Sequence, residues 1–219
     1  MFLPCSHIHR QIQLFDQYSN LKNSIPIEAL TPTRYNIRHG SVFSPYSNVP
    51  TFALIIPARY KSSRFPGKPL ANLCGASVIE RVSNQCIKAV GRENVFVATD
   101  DQKIKTHCVE RNIQVIMTSS KCLTGTDRLV EVSNKLKKDI YINVQGDEPL
   151  VKINDIKKVL HSAIKFPDKI YNGMSDILDQ SDYFNPNVPK VVTDNNGKLL
   201  YMSRSPIPGN KEKTFATKK

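Results

Sequence analysis

The sequence has no cysteine pair at C-x-x-C spacing, and its five cysteines (Cys5, Cys74, Cys86, Cys108 and Cys122) are odd in number and scattered. That excludes a disulfide framework and a zinc knuckle, and it fits reduced thiols in a cytoplasmic protein. No apolar run approaches the ~20 residues that cross a bilayer. No continuous apolar stretch near Met1 marks a secretory signal, and Asp16 and Glu28 speak against an organelle transit peptide. No G-x-G-x-x-G follows the first strong strand signal, and no G-x-x-x-x-G-K-[ST] occurs anywhere, which argues against a dinucleotide-dependent dehydrogenase and a P-loop NTPase. Acidic residues are scarce, 19 against 31 Lys and Arg, for a net charge of +12. Only four basic and two acidic residues fall in 1–50, so the excess belongs to the remainder. Such a balance suits anionic partners such as nucleotides. No aromatic-interleaved basic repeat accompanies it, which argues against nucleic-acid binding.

At 219 residues the chain can bury one substantial core. Residues 1–50 lack a period and are punctuated by Pro4, Pro26, Pro32 and Pro45, which predicts an irregular extension ahead of a domain over 51–219. The domain opens on FALIIPARYKSSRFPGKPL, Phe52 to Leu70. Five apolar residues, Phe52 to Ile56, predict a strand covered on both faces, as in a parallel sheet. Pro57 stops it, and the loop that follows holds Arg59, Lys61, Arg64 and Lys68. The end of such a strand is where α/β folds place ligands, so these cations are candidates for a polyphosphate. A solvated basic loop is the alternative.

Further along, apolar spacing predicts a helix over 76–90 stopped by Gly91, a strand over 94–99, and a helix capped by Asp100 and Asp101 that runs to about Asn112. A strand over 113–117 completes a right-handed parallel unit. Thr124-Gly125-Thr126-Asp127-Arg128 then leads a helix marked by Leu129, Val132, Ser133 and Leu136. Its start suits an anion, although on the residues alone ordinary capping by Thr126 or Asp127 is the favoured reading. A strand over 140–144 ends in Gln145-Gly146-Asp147-Glu148-Pro149. Beside phosphate-binding cations, an acidic pair there could hold Mg²⁺; a turn-forming Asp before a Pro-terminated loop is the plainer reading. After a helix over 154–165 come an expected strand over 170–177 and a hairpin about Asn195-Asn196-Gly197.

Several of these segments resemble one family. I-I-P-A-R-Y-K-S-S-R-F-P-G-K-P-L, T-G-T-D-R, N-V-Q-G-D-E-P, F-N-P-N at Phe184 to Asn187, and Y-M-S-R-S-P-I-P at Tyr201 to Pro208 are similar to the motifs of the sugar-activating cytidylyltransferases, most of all the 3-deoxy-manno-octulosonate (KDO) type. The acylneuraminate type shares the loop, but F-N-P-N and S-R-x-x-I-P favour the KDO type.

The resemblance implies an α/β fold with a Rossmann-like, glycosyltransferase-A-like, mostly parallel sheet and a partial β-rich sugar and dimer subdomain. It implies CMP transfer from CTP to KDO with release of pyrophosphate, for lipopolysaccharide or a related polysaccharide. Arg59, Lys68 and Asp147 are the implied catalytic residues, with Asp147 holding Mg²⁺. Arg64, Gly125, Thr126 and Arg128 are implied at the nucleotide, Gln145 at the sugar acid, and Arg204 at substrate or a dimer partner. The family continues by roughly a third beyond Pro208, including a second metal-binding Asp, and residues 209–219 carry no counterpart. The expectation is therefore a homodimer only when complete, with little turnover from these 219 residues. A non-catalytic nucleotide-binding fragment is the rival of a different class.

Overall fold

The computed structural model describes residues 50–61, 65–207 and 209, together with the backbone of Ile12–Asp16. Two compact units result, Gln11–Gly173 and a unit that includes Met174–Lys219. Cys5, Arg64 and Pro208 lie outside the described residues.

In the first unit, the strands β1 (Ile12–Asp16), β2 (Phe52–Pro57), β5 (Val95–Thr99), β6 (Gln114–Met117) and β7 (Ile140–Val144) form one sheet in the order β1-β7-β2-β5-β6. Pairing is parallel between β2 and β5, β2 and β7, and β5 and β6, and antiparallel only between β1 and β7. Two short strands, β3 (Asn72–Leu73) and β4 (Ala76–Ser77), make a separate ribbon. Part of the segment expected to be irregular, Ile12–Asp16, is thus a strand that pairs with β7.

Alternate residues of β2 serve opposite layers. Leu54 and Ile56 pack with Val95, Val97, Ile140 and Ile142 against α1 (Val78–Val90), α2 (Gln102–Glu110) and α4 (Ile153–Lys165), through Ile79, Val82, Ile104 and Ile156. Ala53 and Ile55 pack with Ala98 and Tyr141 against Leu129 and Val132 of α3 (Gly125–Lys135). With helices on both faces, a strand must be apolar at every position, which is why Phe52 to Ile56 shows no alternation. Cys86 and Cys108 are buried free thiols. Desolvation pushes both up, Cys108 to about 11, so neither is a reactive thiolate at neutral pH.

Three expectations are corrected. Asp101 alone caps α2, accepting from the amides of Lys103 and Ile104 at 2.8 and 3.3 Å, and Asp100 is turned elsewhere. Residues 170–177 form no strand, since only an isolated bridge occurs at Asn172; Ile170 is 62% exposed and finds no layer to cover. The first helix also starts two residues later than spacing predicts, because Ala76 and Ser77 pair in β4 and the Ser77 hydroxyl accepts from the Glu80 amide as N-cap.

The second unit contains α5 (Gln180–Phe184) and the hairpin of β8 (Lys190–Thr193) and β9 (Leu199–Ser203). The turn is wider than a two-residue Asn-Gly turn. Asp194 Oδ1 accepts from the amides of Asn196 and Lys198, and only Gly197 takes a positive φ, +79°. No helix of the described residues is long and apolar enough to cross a membrane.

Candidate active site

Parallel strands β2 and β7 lie side by side in the sheet: from β2 the chain steps outward to β5 and β6 on one side, then returns to add β7 on the other, so the strand order reverses between β2 and β7. This is the topological switch point, where a crevice opens beyond the carboxyl ends of the strands. Both loops singled out in the sequence leave from there.

The first loop continues the sheet for one bond, Ala58 N–H to the Ala98 carbonyl at 2.8 Å, then turns away with Arg59 and Lys61 exposed. It closes where the Gly67 amide donates to the Tyr60 carbonyl at 2.8 Å. Gly67 has φ +74°, and a Cβ there would sit 3.2 Å from the Tyr60 ring, so glycine suits this closure on two counts. A 3₁₀ turn, Lys68–Leu70, follows with Pro69 buried, which fixes the backbone beneath Lys68.

The second loop is pressed against the first. A Cβ on Gly146 would lie 2.6 Å from the Pro57 carbonyl oxygen, a backbone atom that cannot step aside. This approach brings Asp147 to Lys68, Nζ to Oδ2, at 2.7 Å. Both side chains keep about half their exposure (43% and 52%), so the pair is a solvent-screened bridge worth about 0–1 kcal/mol. The cation expected for phosphate and the carboxylate expected for a metal therefore hold each other loosely, and a bound anion or cation can part them.

The third contribution is the start of α3. Thr124 caps it in a reciprocal box: its hydroxyl accepts from the Asp127 amide at 3.1 Å, and Asp127 Oδ2 accepts from the Thr124 amide at 2.8 Å. Those Thr124 bonds hold the Asp127 carboxyl below its usual range. The box leaves the amides of Gly125 and Thr126 at the positive end of the helix outside intrahelical bonding. Gly125 lies against Pro57, and its Cβ would be 3.5 Å from Gln145 Oε1, so Gly125 and Gln145 share one wall with β2.

Arg128 is placed differently. It is 3% exposed, donating to Thr118 Oγ1 at 2.5 Å and to Asp100 Oδ1 at 2.8 Å. Its charge is spent on Asp100 at the end of β5, not offered to solvent. Asp100 is therefore not a cap; an acidic pair directly after a buried strand calls for one cap and leaves one carboxylate to explain. Arg204 belongs to the other unit, is exposed, and donates to the Pro186 carbonyl at 3.0 Å. Structure thus brings together Lys68, Gly125, Gln145 and Asp147, while Arg64 lies outside the described residues.

Glu148 is 5% exposed and not a surface ligand. Among the described residues no group of three or more His, Cys, Asp or Glu side chains is arranged to hold a metal. A cation here would depend on one or two carboxylates and its substrate, the manner in which Mg²⁺ commonly binds.

Comparison with known proteins agrees with this geometry. The family model described as cytidylyltransferase matches residues 53–218. A 3-deoxy-manno-octulosonate cytidylyltransferase of Trichlorobacter lovleyi is 46% identical over 160 residues, 73% of this chain and 64% of that protein. One from Alcanivorax borkumensis is 42% identical over 166 residues, 74% of this chain and 65% of that protein. The chain thus spans slightly less than two thirds of the length of these curated relatives. A solved structure of CMP:2-keto-3-deoxy-manno-octonic acid synthetase complexed with CTP superposes with a TM-score of 0.65 at 36% identity, over 74% of this chain and 67% of that one. The central sheet, the two loops meeting at its switch point and the match over residues 53–218 have one reading: the chain belongs to the cytidylyltransferase family.

Proposed function

We propose that this chain binds CTP at the β2/β7 switch point and takes part in transfer of CMP to the 2-keto-3-deoxy sugar acid KDO, as its relatives are named for. The observation that carries the reading is the Lys68–Asp147 pair, a phosphate-seeking cation and a metal-seeking carboxylate joined across the crevice at 2.7 Å. In the reaction a sugar-acid hydroxyl attacks the α-phosphorus of CTP, the bond from that phosphorus to the bridging oxygen breaks, and pyrophosphate leaves. The protein's part is positioning and charge stabilisation. Arg59 and Lys68 neutralise the triphosphate and the departing pyrophosphate, with Arg64 assisting. The amides of Gly125 and Thr126 meet the nucleotide, Arg128 shapes its wall through Asp100, and Gln145 meets the sugar acid.

Asp147 fits a divalent cation: it is a hard oxygen donor, half exposed, and held only by a weak bridge. Mg²⁺ bound there would offset phosphate charge and lower the pKa of the attacking hydroxyl. The same reading takes in a cytoplasmic location, service to lipopolysaccharide synthesis, and a homodimer.

Calorimetric titration of CTP with Mg²⁺ tests the site. Lys68→Ala and Arg59→Ala should each weaken CTP by more than ~1 kcal/mol, because each removes a charge-assisted contact, and Lys61→Ala should not. Equal losses at all three would reduce the loop to a diffuse basic patch. CTP should also raise the melting temperature more than ATP or GTP at equal concentration. Equal shifts would remove cytidine specificity. Pyrophosphate release with KDO then tests the transfer itself.

A further inference from the structure

The basic loop carries four like charges within ten positions, Arg59, Lys61, Arg64 and Lys68. Like charges spread a segment that nothing anchors. Yet this loop closes on itself, the Gly67 amide donating to the Tyr60 carbonyl at 2.8 Å. Tyr60 serves the closure with its side chain as well as its backbone. The ring is half-buried and packs on the core cluster that contains Ile56, Ile79 and Ile104. Its Cε2, Cζ and Oη edge lies along Gly67, where a Cβ would come within 3.2, 3.2 and 3.3 Å of those atoms.

Over the face of the same ring stands Lys103, the second residue of α2, its Nζ 4.9 Å from the ring centre. An ammonium at that distance is attracted by the negative face of an aromatic ring. Lys103 is exposed, but its backbone is fixed, since its amide donates to the Asp101 cap at 2.8 Å. The helix is therefore a firm base from which a long side chain covers Tyr60. Beyond the closure, the Leu70 amide donates to the Gly67 carbonyl at 2.9 Å. The turn that carries Lys68 thus hangs from Gly67, and Gly67 hangs from Tyr60. Lys68 in turn reaches Asp147 at 2.7 Å.

We propose that Tyr60 is a positioning residue whose ring, clamped by Lys103, holds the Gly67 closure and so aims Lys68 at the polyphosphate of a nucleoside triphosphate. This rests on the reading of Lys68 as a contact to CTP. Neither Tyr60 nor Lys103 touches the nucleotide; both act through the backbone that carries Lys68.

The test measures CTP affinity in the presence of Mg²⁺ by calorimetry, with thermal unfolding in parallel, in the full chain and its variants. Tyr60→Leu keeps apolar bulk on the core but loses the aromatic face; it should weaken CTP about fivefold and move the melting temperature by less than about 4 °C. Tyr60→Phe, which keeps the ring, should stay within about twofold of the unaltered chain. Lys103→Gln should weaken CTP about threefold, and should add nothing in the Tyr60→Leu background, because the ammonium acts through the ring. A merely electrostatic pull of Lys103 on the triphosphate would persist there in full. Unchanged CTP affinity in Tyr60→Leu, a joint fall of affinity and stability, or an undiminished effect of Lys103→Gln without the ring overturns the proposal. Should Tyr60→Leu fail to fold, the exposed Lys103 decides: a loss of affinity with unmoved melting in Lys103→Gln upholds the clamp, and unchanged affinity overturns it. If the unaltered chain does not bind CTP, or Lys68→Ala binds it equally well, the reading beneath fails and this proposal with it. If Lys68→Ala loses CTP and Tyr60→Leu keeps it, the proposal alone fails.

Discussion

The two units bury their apolar residues to very different degrees. In the first, Leu54, Ile55, Ile56, Val97 and Ile142 are fully buried between helical layers. In the second, Leu199, Leu200 and Tyr201 follow one another along β9 at 42%, 61% and 60% exposure, and Leu178 is 86% exposed. Consecutive strand residues face opposite sides, so β9 is open on both. A lone two-stranded hairpin is marginal in water. Here it is knit by polar ties, Lys190 and Arg204 to backbone carbonyls, where the first unit is knit by area. The crevice of the first unit therefore stands on a rigid sheet, and the second unit keeps its shape through a few directional bonds.

The largest expected effect breaks this comparison if it fails. Leu54→Ala should cost about 4 kcal/mol in urea unfolding, as buried leucines do when a cavity is left behind. Leu200→Ala should cost about 0.5 kcal/mol or less, as exposed sites do. Similar losses at both would mean that β9 is covered in solution.

Next in size is the contrast of ion pairs inside the first unit. Arg128→Met should cost about 3 kcal/mol, since it strands Asp100, whose side chain is only 18% exposed. Lys68→Ala, at the exposed bridge, should change stability by less than about 1 kcal/mol. Urea midpoints of both variants decide whether Arg128 supports the wall or serves the ligand directly: a stable Arg128→Met that has lost CTP binding would assign it to the ligand.

The smallest effect concerns acid. The Lys135 ammonium beside Glu131, 2.8 Å away, and the Ser119 amide at 2.7 Å hold the Glu131 carboxyl down, from 4.5 to about 2. A carboxyl depressed in the folded state adds stability that is complete above its unfolded value and is lost as pH falls through the folded one. The loss should therefore run from about pH 4.5 down to 2. Glu131→Gln should flatten that part of the urea-midpoint curve and leave the rest of the profile in place; an unchanged acid limb would assign the loss to other carboxylates.

Much of the first unit was legible in the sequence because its signals are local. The apolar run of β2, the helical spacing of α1 and the placing of Asp147 at a strand's end follow from periods of two and 3.6 and from Pro and Gly stops. The strand expected over 170–177 failed for the complementary reason. Ile170 and Ile177 supply apolar residues, but whether such a stretch becomes a strand depends on a partner, and propensity for a sheet is mostly fit to one. The capping of α2 was half right, since spacing names two aspartates and only packing shows which one turns inward.

By itself the sequence determined the alternation of strands and helices, the basic loop, the acidic loop and the two glycine-bearing turns, for these depend on residues near one another in the chain. Tertiary structure alone decided that Lys68 meets Asp147 across 79 positions, that Arg128 spends its charge on Asp100, that Ile12–Asp16 lies along β7, and that the buried Lys190 donates to the Asn185 and Arg204 carbonyls. Strand order and burial set these, and both emerge only when distant segments compete for the same core. A charge becomes a ligand contact or a buried brace according to the solvent left around it, which no period in the chain encodes.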